Sequence, residues 1–106
     1  LSNLIVLVDY KKYQATGKSD EILNIKPLNK KWQSFGWAVS ECDGNDQHSL
    51  NKNLKKLFKS KKKPKILISH TIKGKGVTFM ESDNNWHYRS PSKIELEKAK
   101  SQLGVK

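Results

Sequence analysis

One cysteine in 106 residues, Cys42, leaves no internal disulfide to close. With only three widely spaced histidines beside it, the chain also lacks a zinc-binding spacing. A lone thiol fits a reducing compartment, so a cytoplasmic location is expected. No stretch approaches the roughly 18 apolar residues of a membrane-spanning helix, and no leader peptide is visible. An initiator methionine is missing and the first residues already belong to an apolar run, so the chain reads as part of a longer protein. Acidic residues are scarce, with 10 Asp and Glu against 21 Lys and Arg, a formal charge of +11. Such a surface attracts phosphates, nucleic acids or anionic membranes. The lysines are scattered, however, apart from "KSKKKPK" (Lys59 to Lys65). No aromatic residue interrupts that run and no nucleic-acid-binding motif accompanies it, so a nucleic-acid partner is not expected.

What is present is a modest core and an orderly succession of elements. A 35% apolar content suffices for one domain. "NLIVLVD" (Asn3 to Asp9) is a continuous branched run, which predicts a strand buried on both faces, centred on Leu4 to Val8. Lys11 to Asp20 reads as loop, with "SDEILN" opening a short helical turn capped by Ser19 or Asp20. Pro27 to Phe35 begins with proline and stops before Gly36, the usual asymmetry of a helix. Trp37 to Asp43 alternates as a second strand, ended by "DGND", which looks merely structural. Ser49 to Ser60 carries Leu50, Leu54, Leu57 and Phe58 at helical spacing, with His48 at the helix start. Pro64 admits a third strand, Lys65 to Thr71, and Ile94 to Leu103 reads as a last amphipathic helix between Pro91-Ser92 and Gly104. The expected fold is α/β: a parallel sheet of about three strands with flanking helices. Trp32, Phe35, Leu54, Leu57 and Phe58 are the expected core on that sheet.

In such sheets ligands lie beyond the carboxyl ends of the strands. Two loops emerge there, Tyr10 to Gly17 and Lys73 to Arg89. "HTIKGKGVTF" offers glycines, which let backbone N–H groups approach a phosphate, and lysines, which supply counter-charge. The spacing is not a P-loop, and a glycine-rich turn with solvated lysines is the commoner meaning of such a segment. A histidine next to tryptophan, as at His87, is more often packed than catalytic. His70, at a strand end, is expected to be structural. From the residues alone the chain is a Rossmann-like, phosphate-friendly half-domain.

Four segments, "NLIVLVDYKKYQATG", "KWQSFGWAVSECDGND", "KPKILISHTIKGKGV" and "WHYRSP", occur in the order and spacing of transketolase-like proteins. In particular the chain resembles the diphosphate-binding domain of bacterial N-terminal transketolase subunits, residues 1–106 corresponding to its C-terminal portion. The resemblance implies part of a thiamine diphosphate-binding fold and a share in moving a two-carbon ketol unit between sugar phosphates. Thiamine diphosphate and magnesium are the implied cofactors. The implied partners are the remaining segments, or a separate chain carrying the pyrimidine-binding domain, in a dimer or higher assembly.

By this resemblance Lys73 falls at a diphosphate-contacting lysine, and His87 at a histidine that touches cofactor phosphate and helps move a proton. Arg89 keeps a cationic position, although Tyr88 stands where glycine is usual. Gln14 retains the polar residue of the metal–diphosphate loop, and Tyr13 offers a backbone carbonyl at a metal-ligand position. The family's other ligand in this loop is an asparagine, and here that position is Lys11. An ammonium has no lone pair to give, so Lys11 either takes over part of the ion's charge toward the diphosphate or marks a degenerate site. The alternative function is therefore a non-catalytic transketolase-like fragment with a structural or interaction role.

Overall fold

A computed structural model describes Leu1 to Val105. In chain order the elements are β1 (Ile5–Tyr10), β2 (Tyr13–Gln14), β3 (Gly17–Lys18), α1 (Ser19–Ile22), α2 (Leu28–Ser34), β4 (Ala38–Asp43), α3 (Gln47–Phe58), β5 (Lys65–His70), a 3-10 turn (Asn84–His87) and α4 (Lys93–Leu103). β1, β5 and β4 form one parallel sheet in that spatial order. The register is level, from Ile5–Lys65–Ala38 to Tyr10–His70–Asp43, so all three carboxyl ends finish on one rim.

The period of two along a strand divides the core. Ile66 and Ile68 face one way with Tyr10, and Val6, Val8, Ile25, Leu28, Trp32, Trp37 and Val39 pack around them. Leu67 faces the other way with Cys42, against Leu57, Leu54 and Leu50 of α3. Burying a leucine as fully as Leu67 stabilises by roughly 1.5–3 kcal/mol. Trp32 and Trp37 meet edge to face at 4.7 Å and close the α2 side.

Helix ends follow local chemistry. Asp46 accepts from the amides of His48 and Ser49 and starts α3 two residues earlier than the apolar spacing predicts. Ser92 and Glu95 form a reciprocal capping box at α4, and Gly104 ends that helix in a left-handed conformation, φ 66°. No helix among the described residues is long and apolar enough to cross a membrane.

Several expectations need correction. Phe35 is 81% and Phe58 55% exposed, since each lies at the C-terminal end of its helix, beyond the stripe that reaches the sheet. Trp32 and Leu54 are half-buried, and only Leu57 of the five is fully enclosed. β1 is not covered on both faces, for Leu7 is 64% exposed. The segment Lys11 to Asp20 is not plain loop: β2 and β3 make a small antiparallel hairpin inside it. α1 has no side-chain cap, because Ser19 is its buried first residue rather than its cap.

Candidate functional site

The level rim brings three loops together: residues 11–18 after β1, residues 44–46 after β4, and the long segment after β5. Main-chain and side-chain hydrogen bonds tie the strand ends and the loops together. Gly44 donates its N–H to the His70 carbonyl at 2.8 Å. A Cβ there would stand 2.6 Å from Thr71 Cγ2 and 2.8 Å from Ser69 Cβ, so only glycine lets these loops approach. Asn45 accepts from the Ile72 amide at 2.8 Å, while its own N–H is held by Asp43 Oδ1 at 2.8 Å. Thr71 donates its hydroxyl to the Asp9 carboxylate. "DGND" is thus part of the rim, and the rule that selected the other two loops, position at a carboxyl end, applies to it equally.

Two cavities share Asn45, Thr71 and Ile72. One, of about 500 Å³, is lined also by Asp9, Lys11, Lys73, Gly74 and Lys75. The other, of about 480 Å³, adds Lys12, Glu41, Cys42, Asp43 and His70. In the second, His70 Nε2 lies 2.7 Å from Glu41 Oε2, and its ring meets Tyr10 edge-on at 5.5 Å. His70 is thus engaged on both sides, in keeping with its strand-end position.

The lysine-lined cavity is shaped by backbone. Gly74 sits at φ 74°, where a Cβ would fall 2.4 Å from the Met80 carbonyl oxygen. The Lys73 carbonyl accepts from Ser82 N–H at 2.9 Å, which closes the turn. Lys11 and Lys73 are half-buried, and among the described residues neither lies within ion-pair distance of a carboxylate. Lys75 is 3.7 Å from Glu81. The arrangement suits a compact polyanion: two unneutralised ammonium groups, a third partly neutralised, and a tight glycine turn.

The remaining candidates lie elsewhere on the surface. Tyr13 and Gln14 form β2, opposite Lys18 and Gly17, and Tyr13 borders a separate cavity with Lys12, Lys18, Asp20 and Ser82. His87 is exposed and stacks edge-on with Tyr88 at 4.6 Å. Arg89 lies over the Trp86 ring at 4.3 Å and pairs with Glu95. The Glu95 carboxyl is held below its usual range, first by the Ser92 amide, then by the Ser92 hydroxyl and Arg89. A hydrogen bond links the two loops: Asn84 Nδ2 donates to the Ala15 carbonyl at 3.0 Å. So the structure unites Lys11 with Lys73, and leaves Tyr13, Gln14, His87 and Arg89 outside the cavity those two line.

A family model described as transketolase, thiamine diphosphate binding domain, matches residues 1–106. The chain is 40% identical over 103 residues to one subunit of an apulose-4-phosphate transketolase from Actinobacillus succinogenes, covering 97% of this chain and 37% of that protein. It is 34% identical over 99 residues to the corresponding subunit from Phocaeicola vulgatus, covering 93% of this chain and 35% of that one. The chain therefore spans little more than a third of the length of these two relatives. A transketolase crystal structure from Campylobacter jejuni superimposes with a TM-score of 0.88 at 26% identity, over 98% of this chain and 16% of that one.

Proposed function

Because this chain belongs to the transketolase family through its thiamine diphosphate-binding domain, we propose that it is the C-terminal portion of that domain in a cytoplasmic, ketol-transferring enzyme. One observation carries the proposal. Lys11 and Lys73, from separate loops, line one cavity beyond the carboxyl ends of parallel strands, where α/β folds bind phosphorylated ligands. When bound, thiamine diphosphate supplies the electron sink for moving a two-carbon unit between sugar phosphates. The chain's own part is to hold and orient. Lys73 and Lys11 neutralise the diphosphate, and Gly74 permits the tight turn against Met80 that follows Lys73. Gln14 lends a polar side chain to the loop, and His87, on the exposed 3-10 turn, carries a proton near the substrate. Arg89 contributes charge from the same segment.

The residues present fit a diphosphate better than they fit magnesium. Near Lys11 the donor set is one carboxylate, Asp9, already accepting from Thr71, and the Asn45 oxygen is occupied by the Ile72 amide. The Tyr13 carbonyl, the metal-ligand position of the family loop, belongs to a residue outside this cavity.

Both curated relatives are single subunits of a transketolase, which supports a partner that bears the pyrimidine-binding half of the site, within a dimer or larger assembly. A second reading, a degenerate transketolase-like domain with a structural or interaction role, is favoured by Lys11 and by Tyr88, 80% exposed where the family commonly has glycine. Calorimetric titration of thiamine diphosphate into the polypeptide carrying this chain, assembled with its partner, separates the two. Binding that Lys73→Ala weakens about tenfold supports the enzyme reading. Complete lack of binding by the assembly leaves only the non-catalytic one.

A further inference from the structure

We infer that this chain holds the diphosphate directly on Lys11 and Lys73, with Lys75 beside them, and that the Lys11 ammonium stands in for a divalent cation. The inference rests on the cofactor-binding proposal above and concerns how that same site recognises its anion. Three ammonium groups and a single carboxylate line the cavity of about 500 Å³. A divalent cation placed among them meets repulsion from Lys11 and Lys73, which no carboxylate neutralises among the described residues. Hard divalent ions such as magnesium need a near-octahedral shell of oxygens, and the side-chain oxygens lining this cavity are few. The Asp9 carboxylate accepts from the Thr71 hydroxyl, and Asn45 Oδ1 accepts from the Ile72 amide. A phosphate oxygen meets the opposite conditions: it gains charge-assisted bonds from Lys11 and Lys73, which pair with no carboxylate among the described residues. Lys11 is also half-buried, which strengthens its pull on an anion relative to a fully solvated lysine.

Magnesium dependence is the quantity that distinguishes this arrangement. Thiamine diphosphate is titrated calorimetrically into the assembled parent protein, once with millimolar magnesium and once with EDTA, for the native sequence, Lys11→Asn and Lys11→Met. Circular dichroism checks that each variant is folded, and Lys73→Met provides a second lesion of the same cavity. We expect the native Kd to differ by less than about threefold between the two conditions. Without magnesium, Lys11→Met and Lys11→Asn should each lose about tenfold or more, and Lys11→Asn should regain affinity when magnesium is added. Native binding that vanishes in EDTA overturns the inference and leaves the cofactor-binding proposal standing. Superimposable titrations for all three residues at position 11 overturn it too, by making Lys11 a bystander. No binding by the native assembly in either condition overturns the cofactor-binding proposal itself.

Discussion

β5 and β1 pair along their whole length, from Lys65–Ile5 to His70–Tyr10, and both are built largely from branched aliphatic residues. Lys65, Ile66, Leu67 and Ile68 are nonetheless buried without a break, whereas β1 leaves Leu7 at 64% exposure. The difference is one of neighbours. β5 has a strand on each edge and packed helices on each face, while β1 has a strand on one edge only and lies beyond the part of the sheet that α3 covers. An apolar run thus reports membership of a sheet. How many of its faces are covered depends on residues remote in sequence.

Removing the Leu67 side chain tests the buried member of the pair and should have the largest effect. Leu67→Ala leaves a cavity between sheet and α3 and is expected to cost about 2–5 kcal/mol, read as a fall in the urea midpoint. An unchanged midpoint would mean that this side of the sheet is not packed as described. Leu7→Ala sharpens the contrast from the other side. In the 106-residue chain it should shift stability by no more than about 0.5 kcal/mol. A loss of about 2 kcal/mol in the longer polypeptide, with none in the short chain, would identify the outward face of β1 as an internal interface. The smallest change is expected where the two strands end. The Tyr10 hydroxyl is buried without a protein partner, so Tyr10→Phe should be neutral or slightly stabilising by equilibrium unfolding. A loss above about 1 kcal/mol would reveal a hydrogen bond to that oxygen.

The parallel sheet was legible in the sequence because its signals are local: a branched run before Asp9, proline before Lys65, glycine after Phe35. The three strands' order along the chain and their ends followed from them to within a residue or two, while their register comes from the structure alone. Phe35 and Phe58 misled because helical spacing names a stripe without saying where the helix leaves the sheet. The β2–β3 hairpin escaped notice since two-residue strands carry no periodicity, and its turn residues, Ala15 and Thr16, are not strong turn formers. At the candidate site, the resemblance singled out Lys73 as a diphosphate contact and Lys11 as the position of the family's asparagine, and the structure places both residues on one cavity. Asn45 was passed over because its side chain serves a main-chain amide, a role with no motif.

The hydrogen bond from Asn84 to the Ala15 carbonyl joins residues 69 positions apart. Closing a long loop costs entropy that grows only slowly with its length, so the cost is met largely once, when the chain folds. From then on the segment carrying Lys73 and the hairpin beside Lys11 restrict each other's wandering. For the anion proposed to bind there, less freedom then remains to be lost on binding, and more of each charge contact appears as affinity.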